Sequence, residues 1–156
     1  MPAGDERMLK SLEVAIDKFT FRVASDRLYT EEGVWAKMEA NGVRVGLSDF
    51  LQQRSGDIAF VEVKPVGARL KTGEEIAAIE TVKVNVSLGS PLAGRVAETN
   101  PLMQSAPEKI NEDPYGEGWL AIIEASDWPA DQGRLLDPEA YLGAVKRLAG
   151  KEASEP

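Results

Sequence analysis

Short stretches of alternating apolar and polar residues, separated by turn residues, limit the folds open to this chain more than any other feature of its sequence. They occur at residues 34–38, 58–63, 74–81 and 84–88, and further short strands are predicted at residues 43–47, 94–98 and 119–124. Alternation with a period of two is the pattern of a half-buried β-strand. Turn signals such as Asn41-Gly42 separate these stretches at the spacing of an all-β sandwich or barrel. Because regular alternation of strands with helices is missing, the sequence predicts a mainly β fold and not a Rossmann-type fold.

Two helices are expected beside these strands. Ser48 is a favourable helix N-cap, and the short helix that follows it, after the second strand, is expected to end near Gly56. A C-terminal helix starts at Asp137-Pro138-Glu139, where an N-cap residue precedes proline and an acidic residue in the first turn. Its apolar face consists of Tyr141, Leu142, Val145 and Leu148. The sequence therefore predicts a β-sandwich with one short internal helix and one C-terminal helix.

The sequence divides into three segments. Residues 1–27 form an N-terminal extension, which we expect to be a docking element or an extra layer on the core, with disorder in residues 1–7. Within the extension, apolar residues at helical spacing predict a helix, and an alternating stretch after them predicts a strand. The helical positions are Met8, Leu9, Leu12, Ala15, Ile16 and Phe19, and the alternating ones are Phe19, Phe21 and Val23. Residues 28–149 form the main domain, and residues 150–156 are expected to be a frayed tail.

The composition is typical of a protein that carries or binds rather than one that catalyses. The chain has no cysteine and no histidine. This excludes thiol catalysis, zinc–thiolate sites and the usual general base near neutral pH. The formal net charge of -8 argues against nucleic acid and anionic membrane as partners. Residues 1–7 are polar and no apolar run is long enough to span a membrane, so we expect a cytoplasmic protein that is not an enzyme.

Lys83 lies between two predicted strands, at residues 74–81 and 84–88, and therefore at or near the tip of a hairpin. Its amine is expected to point outward. A solvated lysine on a turn is the ordinary interpretation of such a residue. A rigid, exposed hairpin tip also suits a covalent cofactor on a flexible arm, because the arm can then visit several active sites. On these residues alone, both interpretations of Lys83 stay open.

Four stretches, in the same order along the chain, resemble the glycine cleavage system H protein family, whose members are lipoyl carriers. They lie at residues 45–50 with 56–62, at 67–74, at 80–83 with 90–96, and at 111–119, and the resemblance covers roughly residues 28–148. The third stretch contains the motif Glu80-Thr81-Val82-Lys83. The resemblance implies a flattened β-sandwich, a barrel-sandwich hybrid of the biotinyl/lipoyl type. It also implies that lipoic acid is attached to Lys83 by an amide bond.

The resemblance further implies partners and a cargo. A lipoate-protein ligase or lipoyl transferase would load Lys83, and Glu80 is a candidate contact for that enzyme. An ordinary solvated charge at a strand end is an equally compatible interpretation of Glu80. The loaded arm would carry the aminomethyl group of glycine cleavage between glycine dehydrogenase, aminomethyltransferase and dihydrolipoyl dehydrogenase. The chain would then contribute no catalytic residue, which agrees with its lack of histidine and cysteine.

The chain departs from the family pattern at two positions of the expected arm cleft. Tyr29 and Trp35 keep the family spacing, but Gly33-Val34 replaces the His-Glu that precedes the tryptophan. The acidic residue that the family commonly has four positions after the lysine is Ser87 here. The family's glutamate is thought to hold the cationic aminomethyl cargo, and valine cannot do so. On this alignment, Val34→Glu is expected to improve aminomethyl transfer.

Three functions stay open on the sequence alone. The first is the lipoyl carrier of glycine cleavage. The second, favoured by Val34 and Ser87, is an H-like lipoate-binding protein that carries sulfur for a heterodisulfide-reductase-like complex in bacterial sulfur oxidation. Such a cargo needs no carboxylate in the cleft. The third is a non-lipoylated interaction module with the same fold, and the mass of the Lys83 peptide would separate it from both carriers.

Overall fold

The computed structural model describes residues 10–154, which form eleven strands and five helices. The strands are β1 (Ser11–Ile16), β2 (Phe19–Ala24), β3 (Leu28–Tyr29), β4 (Val34–Glu39), β5 (Gly42–Leu47), β6 (Ile58–Val63), β7 (Arg69–Leu70), β8 (Glu75–Thr81), β9 (Asn85–Gly89), β10 (Gly94–Thr99) and β11 (Ala121–Ala125). The helices are α1 (Asp49–Ser55), α2 (Leu102–Ser105), α3 (Lys109–Glu112), α4 (Trp128–Gln132) and α5 (Pro138–Ser154). The predicted mainly β fold is confirmed, with a short helix after the strand at residues 43–47 and a C-terminal helix.

Antiparallel pairing of the strands builds two main sheets around one core. The larger sheet has the strand order β3-β4-β5-β11-β10-β7, and the smaller sheet has the order β6-β8-β9. Val45 and Ile123 of the larger sheet share an apolar core with Ile79 and Leu88 of the smaller one. Burial of this shared core holds the β8–β9 hairpin against the larger sheet.

Helix α1 begins where the sequence predicts it and fixes the start of β6. The Ser48 hydroxyl accepts a hydrogen bond from the Leu51 backbone N–H at 3.3 Å, and Gly56 follows the helix with a φ of +87°. The side chain of Asn111 accepts from the Ile58 N–H at 2.9 Å and donates to the Gly56 carbonyl at 3.0 Å. These hydrogen bonds therefore fix the start of β6, the strand that pairs with β8.

The described part of the N-terminal extension folds as a hairpin of β1 and β2, so the helix predicted for its first part is wrong. Leu12, Val14 and Ile16 of β1 are half-buried and alternate with exposed residues, and each β1 residue pairs with β2. A two-residue turn that starts at Asp17, with a φ of +56°, joins the strands. Leu12 and Ile16 are four residues apart, a spacing that fits both a helix face and one side of a strand. The strand predicted after them is confirmed as β2. Residues 1–7, together with Met8 and Leu9 of the predicted helix, lie outside the described residues.

This hairpin covers a second apolar cluster beside the two main sheets. Phe21 and Val23 of β2 are buried in the cluster together with Phe50 of α1 and Val145 of α5. The rings of Phe21 and Phe50 meet edge to face with 5.1 Å between their centroids. The hairpin therefore packs against both helices as part of the folded molecule.

Helix α5 continues to Ser154, past the start of the frayed tail predicted for residues 150–156, and residues 155 and 156 lie outside the described residues. Ala149 is buried in the second cluster, which gives the end of the helix a packing partner. Arg54 Nε of α1 also lies 3.0 Å from Glu152 Oε2. Tertiary contacts thus extend the helix past the point at which its sequence pattern fades.

The three tyrosines of the chain meet in the second cluster, and we expect their burial to lower stability at alkaline pH. The rings of Tyr29 and Tyr141 stack with 4.4 Å between centroids, and Tyr115 meets Tyr29 edge-on at 6.5 Å. Burial raises the pKa of Tyr115 to about 12 and also raises the pKa values of Tyr29 and Tyr141. A tyrosine in the unfolded chain ionises near pH 10. The unfolded state therefore loses protons first as pH rises, and the free energy of unfolding falls above about pH 10.

Urea unfolding at roughly pH 8, 10 and 11 measures this loss, which should reach about 1 kcal/mol per pH unit for each tyrosine. Tyrosinate absorbance in the folded protein should appear only above the pH at which it appears in urea. Tyr115→Phe is expected to reduce the slope of stability against pH. A free energy of unfolding that stays constant to about pH 11.5 would contradict the prediction.

Candidate functional site

The tip of the β8–β9 hairpin is a tight turn held by Thr81. The backbone N–H of Thr81 donates to the Val84 carbonyl at 2.9 Å, and the Thr81 hydroxyl donates to the same carbonyl at 3.0 Å. The hydroxyl oxygen in turn accepts from the N–H groups of Lys83 at 3.2 Å and Val84 at 3.0 Å. Thr81 is itself buried. The backbone around Lys83 is therefore anchored through a buried side chain.

The structure places Lys83 at the tip of this hairpin with its side chain exposed. Within residues 10–154, its ammonium group makes no ion pair and no side-chain hydrogen bond. A fixed backbone and a free, solvated amine are what the amide attachment of a cofactor requires. These features fit the lysine to lipoic acid, because acylation removes its charge without breaking any contact of the fold.

Glu80 lies on the outer face of the smaller sheet, in a cross-strand row with Phe60 of β6 and Asn85 of β9. Its side chain is exposed and, among the described residues, has no cationic partner. The structure thus brings Glu80 and Lys83 to the same end of the hairpin. The role of Glu80 in recognition by a loading enzyme stays a prediction.

Ser87 lies on β9 and holds a carboxylate that the sequence did not indicate. Its hydroxyl donates a 2.6 Å hydrogen bond to Glu75 Oε1, and Lys64 Nζ lies 3.3 Å from Glu75 Oε2. The Ser87 hydrogen bond, followed by Lys64, lowers the pKa of Glu75, so this carboxylate is ionised at neutral pH. Ser87, at the position where the family commonly has an acidic residue, is therefore hydrogen-bonded to the carboxylate of Glu75.

A second carboxylate reaches the same end of β9. Glu32 Oε1 accepts a hydrogen bond from the Gly89 backbone N–H at 3.2 Å, and Gly89 pairs with Glu75 across the hairpin. Glu32 and Glu75 therefore lie beside β9, although the two positions at which the family pattern has an acid, 34 and 87, hold valine and serine. Sequence reasoning missed them because only the strand register shows which residues lie opposite Ser87 and Gly89.

Val34, predicted to line the arm cleft, lies in the apolar core. It is 0% exposed and pairs with Leu47 across β4 and β5. The preceding Gly33 has a φ of +107°, and a Cβ atom there would lie 2.7 Å from Tyr141 Oη and 2.9 Å from Ser48 Oγ. Those two hydroxyl groups share a 2.7 Å hydrogen bond, which a side chain at residue 33 would disrupt. Contrary to the prediction, Val34 does not border an open cleft, because β4 is buried on both faces at this point.

None of the five helices between residues 10 and 154 is long and apolar enough to cross a membrane. In the same part of the chain, no group of three or more acidic, histidine or cysteine side chains is arranged to hold a metal ion. The candidate site is the hairpin that carries Lys83, with Glu32 and Glu75 at its base.

Comparison with known proteins gives a consistent result. The model of the family described as "Glycine cleavage H-protein" matches residues 27–148. The chain is 42% identical over 124 residues to the glycine cleavage system H protein of Anaeromyxobacter sp. (strain K), which covers 80% of this chain and 96% of that protein. It is 42% identical over 130 residues to the glycine cleavage system H protein of Rubrobacter xylanophilus, which covers 83% of this chain and 98% of that protein.

A solved structure agrees with these sequence matches. The crystal structure of a glycine cleavage system H protein from Mycobacterium marinum has a TM-score of 0.69 at 31% identity, covering 76% of this chain and 95% of that chain. The family match starts at residue 27, so the β1–β2 hairpin lies outside it. The resemblance inferred from the sequence motifs is confirmed. The chain belongs to the glycine cleavage H-protein family, whose members carry lipoic acid covalently on a lysine and serve as carriers, not as catalysts.

Proposed function

We propose that the chain is a lipoyl carrier of the glycine cleavage system, with lipoic acid joined by an amide bond to Lys83. The observation that carries this proposal is the exposed Lys83 amine, which has no partner within residues 10–154 and stands on a turn fixed by Thr81. Family membership supports the same assignment, because Lys83 ends the motif Glu80-Thr81-Val82-Lys83.

Attachment requires a nucleophilic amine and an activated acid. The neutral amine of Lys83 attacks the carbonyl carbon of lipoate that a loading enzyme has activated as an acyl adenylate or a thioester. A C–N bond forms, the bond to the activating group breaks and leaves with its electron pair, and the amine proton passes to a base of the loading enzyme. The chain contributes the position of the amine, which the Thr81 hydrogen bonds hold outside the body of the sandwich.

After attachment, the role of the chain is to hold the base of the arm in place. Bound lipoic acid supplies a ring disulfide at the end of a flexible arm, which can take up a one-carbon unit and a pair of electrons. The smaller sheet fixes the base of the arm, and this tether raises the effective concentration of the arm's end at each partner. The catalytic groups come from the partners that we propose, which are glycine dehydrogenase, aminomethyltransferase and dihydrolipoyl dehydrogenase.

The aminomethyl group is the cargo that we propose, because the base of the hairpin carries negative charge. Glu32 bonds to the backbone of Gly89, and Glu75 bonds to Ser87. Ser87 lies four residues after Lys83, and therefore at most about 13 Å away along the chain. That distance is comparable with a lysine side chain extended by lipoic acid. A protonated amine at the end of the arm is attracted by these carboxylates, whereas a sulfur cargo is not.

Carriage of sulfur for a heterodisulfide-reductase-like complex loses its support in this structure. That alternative rested on the absence of acidic residues at Val34 and Ser87, and Glu32 and Glu75 supply acid near the same strand. The relatives named above are glycine cleavage system H proteins. A non-lipoylated interaction module is the remaining alternative, and mass spectrometry separates it from a carrier.

The proposal is tested by lipoylation and glycine cleavage assays on the full chain. The protein is incubated with a lipoate-protein ligase, lipoate and ATP, and peptide mass spectrometry locates the added mass. We expect one lipoyl group on the peptide that contains Lys83, and glycine decarboxylation when the loaded protein is mixed with the three partner enzymes. An unmodified Lys83 peptide after exhaustive reaction would refute the carrier role, and loading without decarboxylation would refute the cargo.

Removal of both carboxylates at the hairpin base tests the charge argument. Glu32→Gln combined with Glu75→Gln is expected to raise the apparent KM of aminomethyltransferase for the loaded carrier by roughly 3–10-fold, the range for two exposed charges. The increase should shrink in high salt, which screens exposed charges. The KM is measured from initial rates at several carrier concentrations.

The matched control is Glu13→Gln combined with Glu124→Gln. Both of these glutamates are exposed and ion-paired, with Arg22 and Arg95, and neither lies on the smaller sheet. This variant removes the same net charge and should leave the KM unchanged. An equal rise of the KM in both double variants would show a general charge effect and would remove the specific role of Glu32 and Glu75.

A further inference from the structure

Half of the exposed large apolar side chains within residues 10–154 lie on the smaller sheet or the hairpin tip that carries Lys83. Six such side chains are exposed in this range, and three of them are Phe60, Val82 and Val84. Val82 and Val84 flank the lysine and are 89% and 49% exposed, and Phe60 on β6 is 67% exposed. We call these three residues, together with Glu80, the tip patch. Exposed apolar side chains that cluster in this way mark sites of interaction.

Phe60 is exposed because β6 contains a β-bulge. Ile58 pairs with Thr81, but the residue that pairs with Glu80 is Phe60 and not Ala59. In a regular register, Phe60 would lie on the same face as the buried Ile58 and would point into the core. The bulge turns it to the outer face, into a row with Glu80. Bulges of this kind re-aim side chains and are frequent next to functional sites.

Folding alone gives no reason for this orientation of Phe60. A phenylalanine side chain buried in the core would stabilise the fold by roughly 1.5–3 kcal/mol, and the exposed Phe60 does not make this contribution. Glu80, next to Phe60 in the row, has no cationic partner among the described residues. An exposed aromatic ring beside a free carboxylate is complementary to an apolar socket with a basic rim.

The enzyme that loads the arm is the partner that must touch this surface. It acts on Nζ of Lys83 before any arm exists, so its active site has to approach the hairpin tip itself. The enzymes of glycine cleavage act on the far end of the loaded arm and can stand away from the tip. We propose that the tip patch is the docking surface of the lipoate-attaching enzyme, with Phe60 in an apolar socket and Glu80 against a basic side chain. This inference rests on the lipoylation of Lys83 proposed above.

The rate of lipoylation by a purified lipoate-protein ligase with lipoate and ATP tests the tip patch. Intact mass, measured over time at several carrier concentrations, gives kcat/KM for loading. Phe60→Ala is expected to lower this value about 10-fold or more, as the loss of a buried aromatic anchor does. Phe60→Leu should restore part of the rate. Phe19→Ala is the matched control, because Phe19 is also exposed, at 55%, but lies in the β1–β2 hairpin.

Each outcome decides the inference. Slower loading of Phe60→Ala, with wild-type loading of Phe19→Ala and an unchanged thermal midpoint, supports the tip patch. Equal loading of Phe60→Ala and the wild type overturns the tip patch while leaving lipoylation of Lys83 intact. A wild-type chain that is never acylated at Lys83 overturns the proposed function and the tip patch together.

A second measurement separates docking of the loading enzyme from docking of the glycine-cleavage enzymes. Phe60→Ala that has been fully lipoylated by prolonged reaction should support glycine decarboxylation at the wild-type rate. If decarboxylation falls while loading is unchanged, the tip patch belongs to a glycine-cleavage enzyme and the inference is overturned.

Discussion

Lys83→Arg is expected to abolish lipoylation and, with it, all carrier activity in a reconstituted glycine cleavage reaction, while the fold stays intact. Arginine keeps the charge and much of the length of lysine, but its guanidinium group stays protonated and does not act as a nucleophile. The hairpin turn is held by the hydroxyl of Thr81 and not by the lysine side chain. The thermal midpoint should therefore equal that of the wild type, and the rate of decarboxylation should fall to the background without carrier.

Lys71→Arg is the matched control for this substitution. Lys71 is exposed and lies in the connection between β7 and β8, away from the hairpin tip. The control should be loaded and should support decarboxylation as the wild type does. Loading of Lys83→Arg at another lysine, together with retained carrier activity, would show that the arm has a different attachment point.

The hairpin that presents Lys83 could be predicted because local sequence and tertiary packing agree there. Ile76 and Ile79 are buried in β8, and the alternation of residues 84–88 matches a strand with one face on the core. Helix α1 could be predicted equally well, because Ser48 is a favourable N-cap residue directly before it. Signals that act over a few residues thus located both the tip and the helix that precedes the smaller sheet.

The surroundings of the tip could not be predicted because they depend on strand register. One bulge in β6 moves Phe60 to the outer face, and another irregularity lies in β8 between Glu75 and Ala77. Each inserts a single residue, and a shift of one residue exchanges the two faces of a strand. For this reason the sequence indicates neither the exposed Phe60 nor the bond between Glu75 and Ser87.

Alignment of short motifs has a related weakness, which the Gly33-Val34 pair illustrates. The alignment places valine where the family has an acidic residue but does not show that the Val34 side chain is buried. It also does not show Glu32, one residue before Gly33, which reaches Gly89 of β9. The chain therefore has a carboxylate at the base of the hairpin that carries Lys83, at a position where a residue-by-residue comparison does not look for it.

Val34→Glu is expected to destabilise the protein by about 4 kcal/mol at neutral pH, instead of improving aminomethyl transfer as the sequence alone suggests. Val34 is 0% exposed and packs in the core shared by the two main sheets. A carboxylate placed there loses its water without gaining a cationic partner. Single domains have total free energies of unfolding of about 5–15 kcal/mol, so a loss of this size removes a large part of the stability.

Val34→Ala separates the effect of charge from the effect of a cavity, because it removes apolar contacts without adding a polar group. It is expected to lower the free energy of unfolding by roughly 1–3 kcal/mol at any pH. In Val34→Glu, burial raises the folded-state pKa of the introduced carboxyl above its unfolded value of about 4.3. Between these two pKa values the unfolded state holds fewer protons, so stability falls as pH rises.

The deficit of Val34→Glu relative to Val34→Ala should therefore grow between about pH 5 and pH 8, and urea unfolding at both pH values measures it. A carboxylate that reached solvent would keep its hydration and its ordinary pKa, so its deficit would be small and would not change over this range. That result would show that residue 34 borders an open cleft after all. A deficit that grows with pH would leave Glu32 and Glu75 as the acidic groups that meet a cationic cargo at this end of the hairpin.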